Sequence, residues 1–351
     1  GVSPRRDWDR LARRAARRRG LVQGALIGLL ALISVPILLP YFWLFTISVS
    51  ARTGGVESSV LWKASAVLAA AAFALGLLRL GTDNPRRRRW GGLAVAAAVA
   101  VLLAALIGPE LHPDNYRFMW IRGFVEELRG KAGAGGQFPW VWTAFANSLL
   151  LAGVQAVLVI TVSTLAGYYI SRFWFPGRSA FLQSLLVLHA FPAMTLIIPI
   201  FLMMHWAGLL DTLTGVVLVI VTLELPFSIF IMKGFFDAVP WDIEMSAMTD
   251  GASRRQAFLH VILPQVKVGV LAVGIFAFIR GWEEYVFVRT LLFEKSNWVM
   301  SLFLFWVSDD IMGVDYGIVA AVGVFYILPS LLLYIFCQKF LVQISLGGIK
   351  G

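Results

Sequence analysis

Residues 235–264 read Phe235-Phe236-Asp237-Ala238-Val239-Pro240-Trp241-Asp242-Ile243-Glu244-Met245-Ser246-Ala247-Met248-Thr249-Asp250-Gly251-Ala252-Ser253-Arg254-Arg255-Gln256-Ala257-Phe258-Leu259-His260-Val261-Ile262-Leu263-Pro264. This polar interval is held between apolar runs at 213–233 and 264–292. Each run has the roughly 20 residues that a helix needs to cross a bilayer. A polar interval between two crossings emerges on one side of the membrane. Pro240 is placed to open a helix, Asp242 and Glu244 suit its positive N-terminal end, and Gly251 suits a left-handed close. Phe258, Val261 and Ile262 then fall at i, i+3 and i+4, so a second short helix has one face for packing until Pro264 bends the chain into the membrane. The expectation is a rigid knob of two short helices across one mouth of the protein, shaped to enter a groove on another protein.

Working outward, the whole chain has the composition of a membrane protein: 351 residues, 59% hydrophobic and only 14% charged, where soluble domains are about half apolar. Apolar runs predict an all-α polytopic fold with about eight transmembrane helices, near 21–49, 58–80, 90–108, 141–170, 179–206, 213–233, 264–292 and 315–341. Residues 1–20 form a basic N-terminus, with Arg5, Arg6, Arg10, Arg13, Arg14, Arg17, Arg18 and Arg19 ahead of an apolar run too long for a signal peptide. Those arginines hold this end in the cytoplasm. Strict alternation then places Arg86 through Arg89, Arg172 and Arg178, Lys233 through Lys267, and Lys339 and Lys350 inside as well, as the excess of Lys and Arg in cytoplasmic loops requires. The same pattern accounts for the net charge of +10 without nucleic acid, because the basic residues sit beside spans and not in an aromatic-lined groove. The single cysteine, Cys337, excludes an internal disulfide and a thiolate metal cluster. The remaining divisions are a helix pair within 50–110, a polar external segment at 111–140, a transmembrane domain at 141–340 containing the cytoplasmic loop 235–264, and a cytoplasmic tail at 341–351.

The loop resembles that of the permease subunits of ABC importers, which carries a Glu-Ala-Ala motif, then Gly, then Ile-x-Leu-Pro at fixed spacing. Asp250-Gly251-Ala252 and Val261-Ile262-Leu263-Pro264 match, whereas the motif glutamate is Met245 and the two alanines are Ser246 and Ala247; Glu244, one residue earlier, is the nearby carboxylate. One residue is a turn of about 100° on a helix, so Glu244 points elsewhere than the motif residue. The tail Leu346-Gly347-Gly348-Ile349-Lys350-Gly351 is similar to that of the second permease in maltose-type carbohydrate importers, and Trp282-Glu283-Glu284, Phe191-Pro192 and Pro199 are family-like. The resemblance covers roughly 140–351. It implies a six-helix permease core, with the pair near 58–108 as an addition that leaves the orientation of everything downstream unchanged. It also implies that Glu244, Met245, Ala247, Asp250, Gly251, Ala252, Phe258, Leu263, Pro264, Gly347, Gly348 and Lys350 dock on an ATPase dimer. The chain itself then binds no cofactor, ATP and Mg belonging to that ATPase. A second permease, an extracytoplasmic solute-binding protein and membrane lipid complete the partners, in a bacterial inner membrane with both termini cytoplasmic.

Charged residues inside a span cost at least a few kcal/mol unless they meet a polar cavity or each other. Arg280, Glu283, Glu284 and Arg289 lie in the seventh span, and Arg280 and Glu284 are four apart, on one helix face. Together with His189, Glu224, Trp282 and Tyr285 they are candidates for the wall of a translocation path; an ion pair that fixes helix packing explains the charges equally. Trp206, Phe230 and Tyr285 offer aromatic faces of the kind sugars stack on. The loop Glu294–Asp315, with Trp298, Trp306, Asp309 and Asp310, is expected outside, where the resemblance places contact with the binding protein.

Other functions fit less well. None of His112, His189, His205 and His260 opens a His-Glu-x-x-His motif, and Gly-x-Ser-x-Gly and Gly-x4-Gly-Lys-Ser/Thr are both absent, which argues against an intramembrane hydrolase and a self-powered pump. An ion-driven carrier predicts inverted repeats and no docking loop. A permease for a non-sugar solute such as a polyamine or peptide remains the alternative, against which the Gly-Gly-Ile-Lys-Gly ending argues.

Overall fold

A computed structural model describes residues 26, 29–30, 33–34, 36–50, 59–81, 85–125, 138–309 and 315–347. Among these residues the regular structure is helical, with one isolated antiparallel bridge between Ser50 and Leu111. The chain divides into two compact units, one comprising 1–116 and 315–324 and the other 117–314 and 325–351.

In the first unit, α1 (Pro36–Ser48) precedes a hairpin of α2 (Ser59–Gly81) and α3 (Pro85–Ile107). Alanine, leucine and valine make α2 and α3 apolar around most of their circumference, as a lipid-facing helix must be. Only 17% and 6% of their most apolar stretches is buried. At the open end of the hairpin Val60, Ala64 and Ile107 form a small core with Phe42 and Leu103, and Lys63 pairs with Glu110. Asn115, fully buried, donates to the carbonyls of Ser48 and Ser50 at 3.0 Å each.

The second unit is built around α4 (Val141–Arg172), whose 32 residues run against both α7 (Leu213–Asp237) and α10 (Lys267–Glu283). α5 (Arg178–Ala190) and α6 (Ile197–Trp206) precede α7, and α8 (Trp241–Thr249) and α9 (Arg254–Gln265) form the polar loop before α10. The short helices α11 (Val286–Leu291) and α12 (Met300–Ser308) follow, and α13 (Tyr316–Gly347) gives its first turns to one unit and the rest to the other. In α7, 56% of the most apolar stretch is buried, against 39% in α4, so these two helices form the protein-facing centre of the unit.

Among the described residues, five helices, α2, α3, α4, α7 and α13, are long and apolar enough to cross a membrane, and each of two bent pairs adds one more if it counts as a single span. The expected fifth span, 179–206, is such a pair: α5 and α6 meet at 89°. Pro192 disfavours helical geometry at the residue before it, and Phe191 is extended (φ −73°, ψ 130°). The 13 residues of α5 rise only about 20 Å, short of the hydrocarbon thickness. The expected bend at Pro264 is present, as a 74° angle between α9 and α10 at Val266. The expected seventh span does not run unbroken to 292. It stops at Glu283, because Glu284 adopts an extended ψ of 120°, and resumes as α11. Pro226 and Pro329 lie inside α7 and α13 without ending them. Of the expected first span, α1 is the longest described piece, and residues 1–20 and 348–351 lie outside the described residues.

Candidate functional site

The polar loop folds as its sequence indicates. Pro240 is extended (ψ 137°) and opens α8, with Asp242 and Glu244 in the first turn. At the other end Gly251 is left-handed (φ 94°); its N–H donates to the Met248 carbonyl at 3.1 Å and the Ala252 N–H donates to the Ala247 carbonyl at 3.0 Å. That pair of reversed bonds satisfies the last carbonyls of α8, and it explains why glycine follows Asp250: a Cβ is strained in this conformation. Ser253 then starts α9 through a reciprocal cap. Its Oγ accepts from the Gln256 N–H at 3.3 Å, and its own N–H donates to Gln256 Oε1 at 2.8 Å. From Ala257 to Ile262 the helix widens to π geometry. The wider turn changes the packing face that 3.6-residue spacing predicts: Ala257, Phe258 and Ile262 are buried, while Val261 is only half-buried.

Two layers fix this knob to the transmembrane helices. Tyr168 of α4, Phe236 of α7 and Phe258 of α9 form an aromatic cluster, with ring centroids 4.5 Å apart for Tyr168 and Phe258 and 5.6 Å for Tyr168 and Phe236. Beneath α8, Glu244 is completely buried. The Tyr168 hydroxyl donates to its Oε1 at 2.6 Å, and Arg172 Nε lies 3.1 Å from its Oε2 without the alignment of a hydrogen bond. The other end of the Arg172 guanidinium donates to the Val239 carbonyl at 2.9 Å, and its carbon lies 5.4 Å from the centre of the Trp241 ring. A buried charge is tolerated when paired and hydrogen-bonded, and here each ion answers the other. Ser171 and Lys233 both donate to Asp237, joining the ends of α4 and α7 beside the knob.

Glu244 therefore points into the chain, and it is not displayed on the surface of the loop. The outward face of α8 is a shallow groove lined by Asp242, Met245, Ser246, Thr249 and Asp250. Ala247 and Leu263 are half-buried, Gly251 and Pro264 are exposed, and Ala252 is half-buried. Gly347 ends α13, while Gly348 and Lys350 lie outside the described residues.

The intramembrane candidates do not form a single cluster. Arg280 Nε stands 3.8 Å from Glu224 Oε2, joining α10 to α7, and His189 stacks on Phe227 one turn from Glu224 at 4.6 Å. The expected pairing of Arg280 with Glu284 does not form, because the helix ends at Glu283 and the i, i+4 face ends with it. Glu284 Oε1 instead accepts from the Phe287 N–H at 2.9 Å, capping α11. Trp282 lines no opening: it is 1% exposed, its Nε1 donates to the Tyr326 carbonyl, and the Tyr326 hydroxyl donates back to the Trp282 carbonyl, both at 3.1 Å. Glu283 and Arg280 are exposed, and Tyr285 is half-buried with its ring 5.0 Å from Phe305.

The segment following α11 is less open to solvent than its sequence suggests. α12 is nine residues long, and Met300, Ser301, Leu302, Phe303 and Val307 are buried. Trp298 is 4% exposed, stacked on Trp306 at 5.7 Å, so it supports this surface from within. Trp306 and Asp309 are half-buried, and Asp310 lies outside the described residues.

Several residues that organise these places carry little signal in the sequence. Asp211, left-handed at φ 57°, accepts from the N–H groups of Phe293 and Glu294 at 2.9 and 3.0 Å, and its carbonyl accepts from Asn297 at 2.7 Å. Its position in Asp211-Thr212 before an apolar run marks a helix start, and Thr212 does cap α7, but that pattern shows nothing of a loop so distant in the sequence. Asn147 and Ser148 of α4 hold the same loop, donating to the Ser296 and Trp298 carbonyls and accepting from the Met300 N–H. Gln155 is fully buried with neither side-chain atom bonded, and a Cβ on Gly281 would lie 2.1 Å from its Oε1, so α4 and α10 approach there only because position 281 lacks a side chain.

The family model of the binding-protein-dependent transport system inner membrane component matches residues 159–343. The diacetylchitobiose uptake system permease protein of Streptomyces coelicolor is 32% identical over 271 residues, covering 74% of this chain and 86% of the relative. The trehalose transport system permease protein of Mycobacterium tuberculosis is 28% identical over 211 residues, 60% of this chain and 77% of the relative. In fold, the chain is similar to a chain of the bacterial ABC transporter that imports alginate, with a TM-score of 0.63 at 19% identity over 93% of this chain and 97% of the other. The chain belongs to the binding-protein-dependent transport system inner membrane components: it is a membrane-spanning permease subunit of an ABC importer, whose ATPase is a separate subunit.

Proposed function

We propose that this permease imports a sugar, polyol or related polar solute, delivered by an extracytoplasmic binding protein to a path formed with a second permease, and that residues 241–264 receive the motion of an ATPase dimer. ATP and Mg are held by that ATPase, and the termini of this chain face the cytoplasm. The observation that carries the docking role is the buried pair Glu244–Arg172. It ties α8 to the end of α4 while the face with Asp242, Met245 and Asp250 stays open. A knob locked in this way moves as one body with the helices, so a push on α8 reaches α4, α7 and α10. Solute and ATP are coupled only if the two access states make different contacts with each.

In this reading Met245 supplies an apolar centre to the docking face where the motif has a carboxylate, and Asp242 and Asp250 flank it. The group Arg280, Glu224 and His189 lines the path, with Glu283 and Tyr285 beside it and Trp282 holding α10 in place. Trp306 and Asp309 belong to the surface offered to the binding protein, and the C-terminal tail docks beside the loop. The carbohydrate class rests on the names of the curated relatives, for diacetylchitobiose and trehalose among them. Affinity purification of the tagged chain from its native membrane tests the assembly: a second permease and an ATPase should co-purify in stoichiometric amounts. Recovery of the chain alone, with solute uptake driven by an ion gradient, would overturn the reading.

A further inference from the structure

α10 lies between two breaks in the backbone. At one end a 74° bend at Val266 joins it to α9 of the docking loop, and at the other the extended Glu284 ends it. A displacement of the loop therefore tilts α10 as a unit. Arg280 stands about 20 Å along the helix from Lys267, and its contact with Glu224 is the only polar side-chain link between α10 and α7 among the described residues. The pair is loose and lopsided: Nε and Oε2 are 3.8 Å apart, and the side chain of Glu224 is 13% exposed against 66% for Arg280. That distance is too long for a hydrogen bond. A guanidinium left open at this depth belongs in a polar cavity and not against lipid.

A second carboxylate is within reach of Arg280. Glu283, three residues on in the same helix, is its neighbour on the helix surface. Glu283 is exposed and takes part in no ion pair among the described residues. The other charged groups around this end of α10 are engaged: Glu284 accepts from the Phe287 N–H, and the Arg289 guanidinium lies over the Phe305 and Trp306 rings. We propose that Arg280 is a two-position switch, holding Glu224 across the α7–α10 contact in the present access state and Glu283 of its own helix in the other. Tilting α10 lengthens a contact that is already long, while the spacing of Arg280 and Glu283 within one helix is unaffected. The guanidinium stays paired in both states, so it never stands as an uncompensated charge in the path, and each state has its own contact, as an element with two discrete arrangements requires. The switch rests on the reading that residues 241–264 receive the motion of an ATPase dimer.

The test uses the complete importer in lipid nanodiscs, with cysteine-free partner subunits and Cys337→Ser in this chain. Spin labels at Leu218→Cys on α7 and Leu271→Cys on α10, both exposed positions, report the distance distribution between the helices with and without ATP. The wild type should show two populations whose ratio ATP changes. Glu224→Gln should shift that ratio toward one population by about fivefold, the size expected of a pair with one solvent-exposed partner. Glu283→Gln should shift it by a similar factor toward the other, and the double variant should lie near the wild type. A pair that only packs α7 on α10 predicts a change for Glu224→Gln and none for Glu283→Gln, which would overturn the switch, as would shifts of the two variants in the same direction. A wild-type distribution that ATP leaves unmoved would overturn the docking reading and the switch with it; one that ATP moves, with neither variant altering the ratio, would overturn the switch alone.

Discussion

Replacing Glu244 by Gln keeps the shape of the side chain and removes its charge, leaving Arg172 buried beside a neutral amide. At 3.1 Å and an effective dielectric constant of about 20, the lost attraction is about 5 kcal/mol. Removing one partner of a buried pair typically costs about 3–5 kcal/mol. Arg172 keeps its bond to the Val239 carbonyl and its place near the Trp241 ring, and the amide can still accept from the Tyr168 hydroxyl, so the loss falls at the lower end, about 3 kcal/mol. That energy raises the population of the released loop about 150-fold. Hydrogen exchange across residues 241–263 should show it directly, as faster exchange of α8 and α9 with α4 and α7 unchanged. In vesicles the same variant should hydrolyse ATP with less solute moved per ATP. The exchanged pair, Glu244→Arg with Arg172→Glu, should recover part of the protection. Unchanged exchange in Glu244→Gln would refute the claim that this pair locks the loop.

Other perturbations test separate parts of the structure. Gly251→Ala places a Cβ on a residue at φ 94° and should weaken the α8 turn by about 1–2 kcal/mol, read as earlier proteolysis of the loop. Gly281→Ala meets Gln155 and the Ala152 Cα and should lower thermal stability by about 1–3 kcal/mol through overpacking, partly relieved by adding Gln155→Ala. Asp211→Ala removes a side chain that accepts from Phe293, Glu294 and Asn297. It should cost the loop about 2–3 kcal/mol and reduce stimulation of the ATPase by the binding protein, with unstimulated hydrolysis retained.

The parts of this structure that are legible in the sequence are those set by local chemistry. The apolar lengths of α2, α3, α4, α7 and α13 identify them as spans, and Pro240 and Gly251 mark where α8 starts and stops. What is hidden depends on partners distant in the sequence or on breaks within apolar runs. Nothing local distinguishes Glu244 turned inward to Arg172, which belongs to a helix far earlier in the chain, from Glu244 displayed on the surface; only the packing of α8 on α4 decides it. The apolar character of 179–206 reads as a single span, since Phe191 and Pro192 interrupt the helix without interrupting hydrophobicity. α12 is apolar but too short to cross, so composition assigns it to a loop although its residues are buried. The pairing of Arg280 is misplaced for a related reason: helical spacing is extended past Glu283, where the helix ends.

The central claim is that the outward face of α8 docks on the ATPase, and it is tested most directly by chemical access. Ser246 lies exposed in that face, so Ser246→Cys in a Cys337→Ser background gives one thiol at the proposed interface. With the permease pair alone, a maleimide should label it rapidly; with the ATPase dimer bound, labelling should fall at least tenfold, while a cysteine at the exposed position Trp90 on the hairpin labels equally in both. Equal labelling of position 246 with and without the ATPase would contradict the account.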